Sequence, residues 1–492
     1  MVAVLACAVV AAGPSVAPPP ARALPAPSNI VLILTDDQRW GTLTYMPNVE
    51  SLLVAHGVTF SNAFDNNPLC CPTRSTIMTG LTSGHNGVWT NTPGKGSTGP
   101  PDGGFPAFLA NGDENHQIFG WLHDAGYQTA LIGKFLNMYN GGVGKASDVS
   151  WVLPGVDDWY AMLLNHTQAS TTGCQMNGYY DVCYSDDGVM TPPDSGYSND
   201  RVTNEALSFI NGADPSKPLF LYFAPRAPHQ PTTPEPKYAG ACPASLVGTV
   251  ASDPTYNVPI TDGPAYMRAL PALTKRQGAA IQTHWQNDCN TLRSVDDSVA
   301  KIVQALKATG RLSNTLIMFA SDNGFIFGGH RWTGKLVPYE DSIRVPVVIR
   351  DDAVIPHALQ GTTVSSQITS LDYTETFLEA AELSEPDLDG QSLMPLIGGA
   401  GTWTTQDPVL IEHGNGPSED GKKAPSYCGV RSAGYMYAQY ATGEEELYDL
   451  SADPDEATNV ASNPAYAGVL ATLRRQTHEL CNPAPPGFVW AH

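Results

Sequence analysis

The chain has 492 residues, 42% of them hydrophobic and 15% charged, enough to bury a large core in one big domain with a smaller one appended. Its formal net charge of −22 argues against sequence-independent binding to nucleic acid, which needs clustered Lys and Arg against phosphates. The same charge repels long polyanions unless a site is locally basic, and in bulk it chiefly serves solubility.

In chain order, Met1 to Ala12 is apolar but too short to span a bilayer. A Pro-rich stretch follows, then the small-x-small run Ala21-Arg22-Ala23. This predicts a signal peptide over 1–23 and a protein exported to the cell envelope or beyond. Cys7 has only six residues before it, too few for a lipoprotein anchor, and no later segment is apolar enough to cross a membrane. Four short apolar runs then end in polar residues. NIVLIL (29–34) precedes Thr35-Asp36-Asp37, and Thr129 to Ile132 precedes Gly133-Lys134. LFLYF (219–223) leads to His229, and LIMFA (316–320) precedes Ser321-Asp322-Asn323. Continuous apolar runs bounded by turn residues suit strands buried on both faces.

Helical patterns lie between them: Gln117 to Ala125, Arg201 to Ile210, and about Lys275 to Thr309, stopped by Gly310. The expected fold is α/β, a large mixed, mostly parallel sheet sandwiched by helices over 24–395. Past about Leu396 the pattern predicts short strands, a turn at Ala452-Asp453-Pro454 and a helix from about Ala465 to Leu480. These make a smaller C-terminal α+β domain over 396–492. In such sheets ligands bind beyond the carboxyl ends of the strands. Asp36, Asp37, Lys134, His229, Asp322 and Asn323 all stand there, although each taken alone reads as a turn or cap residue. The long Pro-rich loop Thr232 to Asp262 and the stretch Gly141 to Asp200 would supply a substrate rim.

Nine cysteines are present. With Cys7 removed and Cys70 and Cys71 set aside, the six later ones allow up to three disulfides in an exported chain. Cys174 with Cys183 closes the easiest loop, and Cys428 with Cys481 would staple the C-terminal region, but sequence alone does not fix the pairing. Asn165-His166-Thr167 is a glycosylation sequon.

The stretch NPLCCPTRSTIMTG (67–80) places Pro72 and Arg74 in the first turn of a short helix that Gly80 ends. A helix start seats an anion and is expected to acidify a thiol there. A buried, inert cysteine would explain neither the proline nor the arginine.

The same stretch resembles the signature of the type I sulfatases, members of the alkaline phosphatase superfamily. Its Cys-x-Pro-x-Arg core singles out Cys70, the residue that such enzymes oxidise to Cα-formylglycine with a dedicated maturation enzyme. Cys71 falls at the variable position. Further blocks follow in the family's order: NIVLILTDDQR, LHDAGYQTALIGKFLNMYN, PLFLYFAPRAPHQP, FASDNGFIFGGHRWTGKLVPYEDSIRVPVVIR and EEELYDLSADPDEATNVA. The resemblance covers nearly the whole mature chain. It implies one divalent ion, Ca²⁺ or Mg²⁺, on Asp36, Asp37, Asp322, Asn323 and the modified Cys70. It implies a metal-bound formylglycine gem-diol as nucleophile, steadied by Arg74, with Lys134 and Lys335 on the sulfate oxygens. His229 would serve as acid for the leaving alcohol or base for the second step.

Many relatives carry a histidine where this chain has Leu136. The run GKFLNMYN resembles the glucosamine-6-sulfatase branch instead, with Asn137 as a candidate substrate contact; His330 reads either as a substrate contact or as a structural histidine. The expected activity is hydrolysis of a carbohydrate O-sulfate, of 6-sulfated glucosamine type. The alternatives are an arylsulfatase, a formylglycine-dependent phosphonate or phosphodiester hydrolase, and a silent sulfatase-shaped binding protein. The expected partners are a sulfated saccharide or small molecule and the maturation enzyme, with neither nucleic acid nor stable membrane insertion.

Overall fold

Asn29–Thr35 forms strand β1, and all seven of its residues are buried. This computed structural model describes residues 28–94, 101–139, 149–163, 173–175, 178–398, 403–404, 406–416 and 421–491. The signal peptide expected over 1–23 and the sequon at Asn165 lie outside the described residues.

Successive side chains of a strand point to opposite faces, so β1 feeds two cores. Ile30, Leu32 and Leu34 enter one, while Val31 and Ile33 enter the other. The remaining strands of this sheet are β2 (Val58–Phe64), β3 (Gln128–Gly133), β4 (Asp158–Met162), β5 (Tyr184–Asp186), β6 (Val189–Met190), β7 (Leu219–Ala224) and β8 (Thr315–Ser321). After the two-stranded hairpin of β9 (Ile326–Phe327) and β10 (Thr333–Gly334) come its last two, β11 (Val347–Asp351) and β12 (Thr362–Thr369). The ten-stranded order is β12-β2-β11-β8-β1-β7-β3-β4-β5-β6. β1 runs parallel to β7 and β8, β3 runs parallel to β7 and β4, and β11 is antiparallel to both its neighbours.

Helices cover both faces. On one side lie α1 (Cys70–Thr79) and α2 (Ile118–Asp124), joined later in the chain by α5 (Asp372–Ala380); their apolar residues share the core of Ile30, Leu32 and Leu34. On the other lie α3 (Ser198–Gly212) and α4 (Lys275–Ala308). The long α4 starts from a capping box between Thr274 and Gln277, and its face of Val295, Val299, Ile302, Val303 and Leu306 is buried. The four expected strands and three expected helices all form, with ends displaced by three residues or fewer. No helix among the described residues is long and apolar enough to cross a membrane.

The C-terminal segment forms an antiparallel sheet, β13 (Val409–His413), β14 (Tyr427–Arg431), β15 (Tyr435–Tyr440) and β16 (Glu445–Asp449), followed by helix α6 (Ala467–Leu480). One face of this sheet packs with Phe64, Leu69 and Trp332, and so lies against the loops that carry the site. Three disulfides form: Cys174–Cys183, Cys242–Cys289 and Cys428–Cys481. The second ties the 232–262 loop to α4.

Candidate active site

The ends of β1, β3, β7 and β8 are held in step by their parallel pairing. The amide of Lys134 donates to Ala224 O at 2.8 Å, and that of Asp322 to Thr35 O at 3.1 Å. The expected site residues therefore arrive together. Gly133 has φ +117, and a Cβ there would stand 2.0 Å from Ala224 O, so only glycine brings Lys134 in this close. Asp37 takes φ +68, a left-handed conformation uncommon outside glycine, held by its amide donating to Asp322 Oδ1 at 3.1 Å.

Cys70 opens α1 behind an extended Leu69, and all ten residues of the helix are buried. The amide of Cys71 donates to Asn91 Oδ1 at 2.8 Å, fixing the first turn, and Gly80 ends the helix at φ +71. Cys70 and Cys71 are both free thiols. The acidified thiol expected at Cys70 is not found: burial pushes it up to about 12, against the pull of Lys134 and Lys335. Removal from water outweighs the helix start and both lysines.

Around Cys70 Sγ stand Lys335 Nζ at 2.8 Å and Asp36 Oδ1 at 3.5 Å. Lys335 Nζ also donates to Asp37 Oδ1, and Lys134 Nζ to Asp36 Oδ2 at 2.6 Å. Arg74 places Nε and Nη2 each 2.8 Å from Asp322 Oδ2 and gives Nη1 to Lys134 O. All of these side chains are buried, whereas His229 keeps 21% of its side chain exposed, with Nε2 3.8 Å from Asp37 Oδ2. Burial works against the Asp36 carboxylate, yet Lys134, His229, Arg74 and Lys335 together hold it well below the usual carboxylate range. Burial and then Asp36 push Asp322 up to about 6 in spite of Arg74. Burial lowers His229 to about 4, so its ring is neutral at physiological pH.

Two observations fit a divalent cation here. Asp37 Oδ2 and Asn323 Oδ1 are buried without hydrogen-bond partners, while Asn323 Nδ2 donates to Asp37 Oδ1 at 2.7 Å and so turns its carbonyl oxygen outward. Ligand atoms of Asp36, Asp37, Cys70 and His229 also lie within 4.8 Å of one another. Hard oxygen donors of this kind suit Ca²⁺ or Mg²⁺. His229 in that group is an addition to the ligands expected from sequence.

Two sequence candidates stand apart. Asn137 is half-buried three residues past Lys134, with its backbone oxygen accepting from Phe105 and its Oδ1 unpartnered. His330 makes no hydrogen bond or ion pair with this cluster among the described residues, and its ring packs 5.2 Å from that of Tyr339. Leu136 is fully buried in the hydrophobic core. Sequence reasoning missed Arg226, whose Nη2 lies 3.0 Å from His229 Nδ1; its signal was its place three residues before His229. It also missed Asn91, for which the sequence carries no signal.

The sulfatase family profile matches residues 28–383, and the profile of the N-sulphoglucosamine sulphohydrolase C-terminal region matches 328–482. The chain belongs to the sulfatase family. As a sulfatase it is an enzyme, a hydrolase of sulfate esters. It is 30% identical to the human N-acetylglucosamine-6-sulfatase over 88% of this chain and 81% of that protein. It is 26% identical to the N-acetylglucosamine-6-O-sulfatase of Bacteroides thetaiotaomicron over 89% of this chain and 83% of that one. Its fold is shared by a protein solved in complex with its substrate D-glucosamine-2-N,6-O-disulfate. The TM-score is 0.75 at 22% identity, over 92% of this chain and 97% of that one.

Proposed function

We propose that this sulfatase cleaves a carbohydrate O-sulfate, of 6-sulfated glucosamine type, with a nucleophile made from Cys70. The observation that carries the reading is the buried meeting of Cys70 Sγ with Lys335 Nζ and Asp36 Oδ1, two lysines and Arg74 around one side chain at a helix start. The relatives named N-acetylglucosamine-6-sulfatase support the substrate class. An ion held by Asp36, Asp37, Asp322 and Asn323 would supply Lewis acidity, and formylglycine at position 70, once hydrated, a hydroxyl nucleophile.

The chain's own residues do the rest. Lys134 and Lys335 bind sulfate oxygens and offset the charge that grows as the S–O bond breaks. Arg74 holds Asp322 and the start of α1 in place. His229 moves the proton. Its Nδ1 lies 2.7 Å from Gln230 O and 3.0 Å from Arg226 Nη2. With Nδ1–H donating to Gln230 O, the neutral ring has Nε2 free to accept the proton that the attacking hydroxyl sheds. The imidazolium so formed gives that proton from Nε2 to the departing sugar oxygen and returns to the neutral ring.

The reading includes export by a signal peptide over 1–23, maturation of Cys70 by a formylglycine-generating enzyme, and a division into 24–395 and 396–492. An arylsulfatase is the second reading, favoured by 27% identity to an arylsulfatase of Chlamydomonas reinhardtii over 92% of this chain and 75% of that one. Mass spectrometry of the tryptic peptide ending at Arg74, with turnover of glucosamine 6-sulfate, N-acetylglucosamine 6-sulfate and 4-nitrophenyl sulfate, decides between them. Formylglycine at position 70 with preferred turnover of the sugars is the expected result. An unmodified thiol in active enzyme, or turnover of the aryl ester alone, defeats the proposal.

A further inference from the structure

His229 stands on irregular backbone past the end of β7, and its ring stays partly exposed. A ring that packing does not wedge in place is aimed by its backbone. Three anchors hold that backbone. Before His229, the amide of Asp36 donates to Ala227 O at 3.4 Å, which ties the loop to the end of β1. At His229 itself the amide donates to Arg226 O at 3.0 Å, and the carbonyl accepts from the Tyr179 hydroxyl at 2.7 Å. Beyond it, Thr233 O accepts from the Tyr197 hydroxyl at 3.0 Å.

The two tyrosines act as one rigid fork. Their rings stack with centroids 5.5 Å apart and planes 18° from parallel, and both are buried. Tyr179 O accepts from the amide of Ser198 at 2.8 Å, and Ser198 is the first residue of α3; Tyr197 directly precedes it. The Cys174–Cys183 disulfide brackets Tyr179 in sequence. Burial raises the Tyr179 hydroxyl well above its usual range, so it stays protonated and remains a donor. The 141–200 stretch, expected to rim the substrate, thus also sends two side chains inward to the backbone of the His229 loop.

The hold bears on the ring. Nδ1 lies 2.7 Å from Gln230 O, and Gln230 is bonded directly to the carbonyl that Tyr179 fixes. Resting on the role of His229 given above, we propose that Tyr179 is a positioning residue for sulfate-ester cleavage. Its hydroxyl holds the His229 carbonyl so that Nε2 meets the departing oxygen, and Tyr197 is the second point of the same hold.

Tyr179→Phe removes the hydroxyl and keeps the ring and its stack. On the matured enzyme, with the melting temperature as a check on folding, kcat/KM for glucosamine 6-sulfate should fall about tenfold to a hundredfold, the scale of a displaced catalytic group. In the His229→Ala background the same substitution should change kcat/KM by less than about twofold, since nothing is left to position. A tyrosine that only supports the fold would cost the same in both backgrounds. 4-Nitrophenyl sulfate gives a second reading. Its phenolate leaves without a proton, so it loses the base and not the acid, and its loss should be about tenfold smaller than that of the sugar. Tyr197→Phe should show the same pattern at smaller amplitude, and it carries the test if Tyr179→Phe does not fold. Wild-type kcat/KM in Tyr179→Phe overturns the proposal, as do equal costs in both backgrounds or equal losses on both esters. If His229→Ala itself keeps wild-type turnover, the role of His229 falls and takes this inference with it. An enzyme that hydrolyses the aryl ester alone removes the carbohydrate reading, and the cycle of Tyr179→Phe with His229→Ala then decides on that ester.

Discussion

Cys70 shows how one side chain can be set by several opposed forces. A thiol at a helix start beside two lysines should ionise, but complete burial raises it to about 12. The unmodified thiol is therefore a poor nucleophile, and Cys70→Ser should be as inactive as unmatured enzyme, a comparison that initial rates on one sulfated sugar check. The lysines are separable from this. Lys134→Ala removes a cation 2.6 Å from Asp36 Oδ2 and a donor for sulfate. Its kcat/KM should fall by about 10²–10³, the usual cost of losing one preorganised donor at a developing charge. Most of that loss should lie in kcat; a change confined to KM would show that Lys134 only binds the ground state. Arg74→Ala leaves Asp322 buried and unpaired, which should cost about 3–5 kcal/mol and show as a lowered urea midpoint as well as lost activity. Dialysis against a chelator should likewise lower both activity and melting temperature, with recovery on adding Ca²⁺ or Mg²⁺.

At the scale of elements, the small sheet is tied to the catalytic loop. His413 at the end of β13 is 3% exposed, with Nδ1 3.4 Å from Asn67 Oδ1 just before α1, and burial lowers it to about 3. Its folded value lies below the unfolded value of about 6.5, so the unfolded chain takes up a proton first as pH falls. The penalty is absent above about pH 6.5 and grows towards pH 3, reaching about 2 kcal/mol at pH 5. His413→Asn should flatten the fall in stability between pH 7 and pH 5 relative to wild type in parallel urea titrations. The disulfide Cys242–Cys289 closes a separation of 47 residues. Replacing both cysteines by serine should cost about 4 kcal/mol by loop entropy and, by freeing the 232–262 loop, raise KM more than it lowers kcat.

The sequence made β1, β3, β7 and β8 legible because both faces of each are buried and apolar; their pairing order was not, since register depends on partners far along the chain. The convergence of Asp36, Lys134, His229 and Asp322 followed from their common place after those strands. His330 takes φ +52, a backbone turn that no motif records, and its ring packs against that of Tyr339.

Over the whole molecule the balance is −22, yet Arg74, Lys134 and Lys335 are buried at one point. A sulfated substrate must therefore cross a repulsive outer field before it meets an attractive interior. The outer field acts through water and is screened over a Debye length of about 10 Å at 0.1 M salt, whereas buried contacts are screened much less. Raising salt from about 10 mM to about 150 mM should then increase kcat/KM a few-fold by speeding encounter, while kcat at saturation stays nearly level. The effect should grow with substrate charge, being larger for a sulfated oligosaccharide than for glucosamine 6-sulfate. Stopped-flow or initial-rate series over salt would read it directly. A steady fall in kcat/KM with salt would mean that a local basic path, and not the net charge, governs approach to the site.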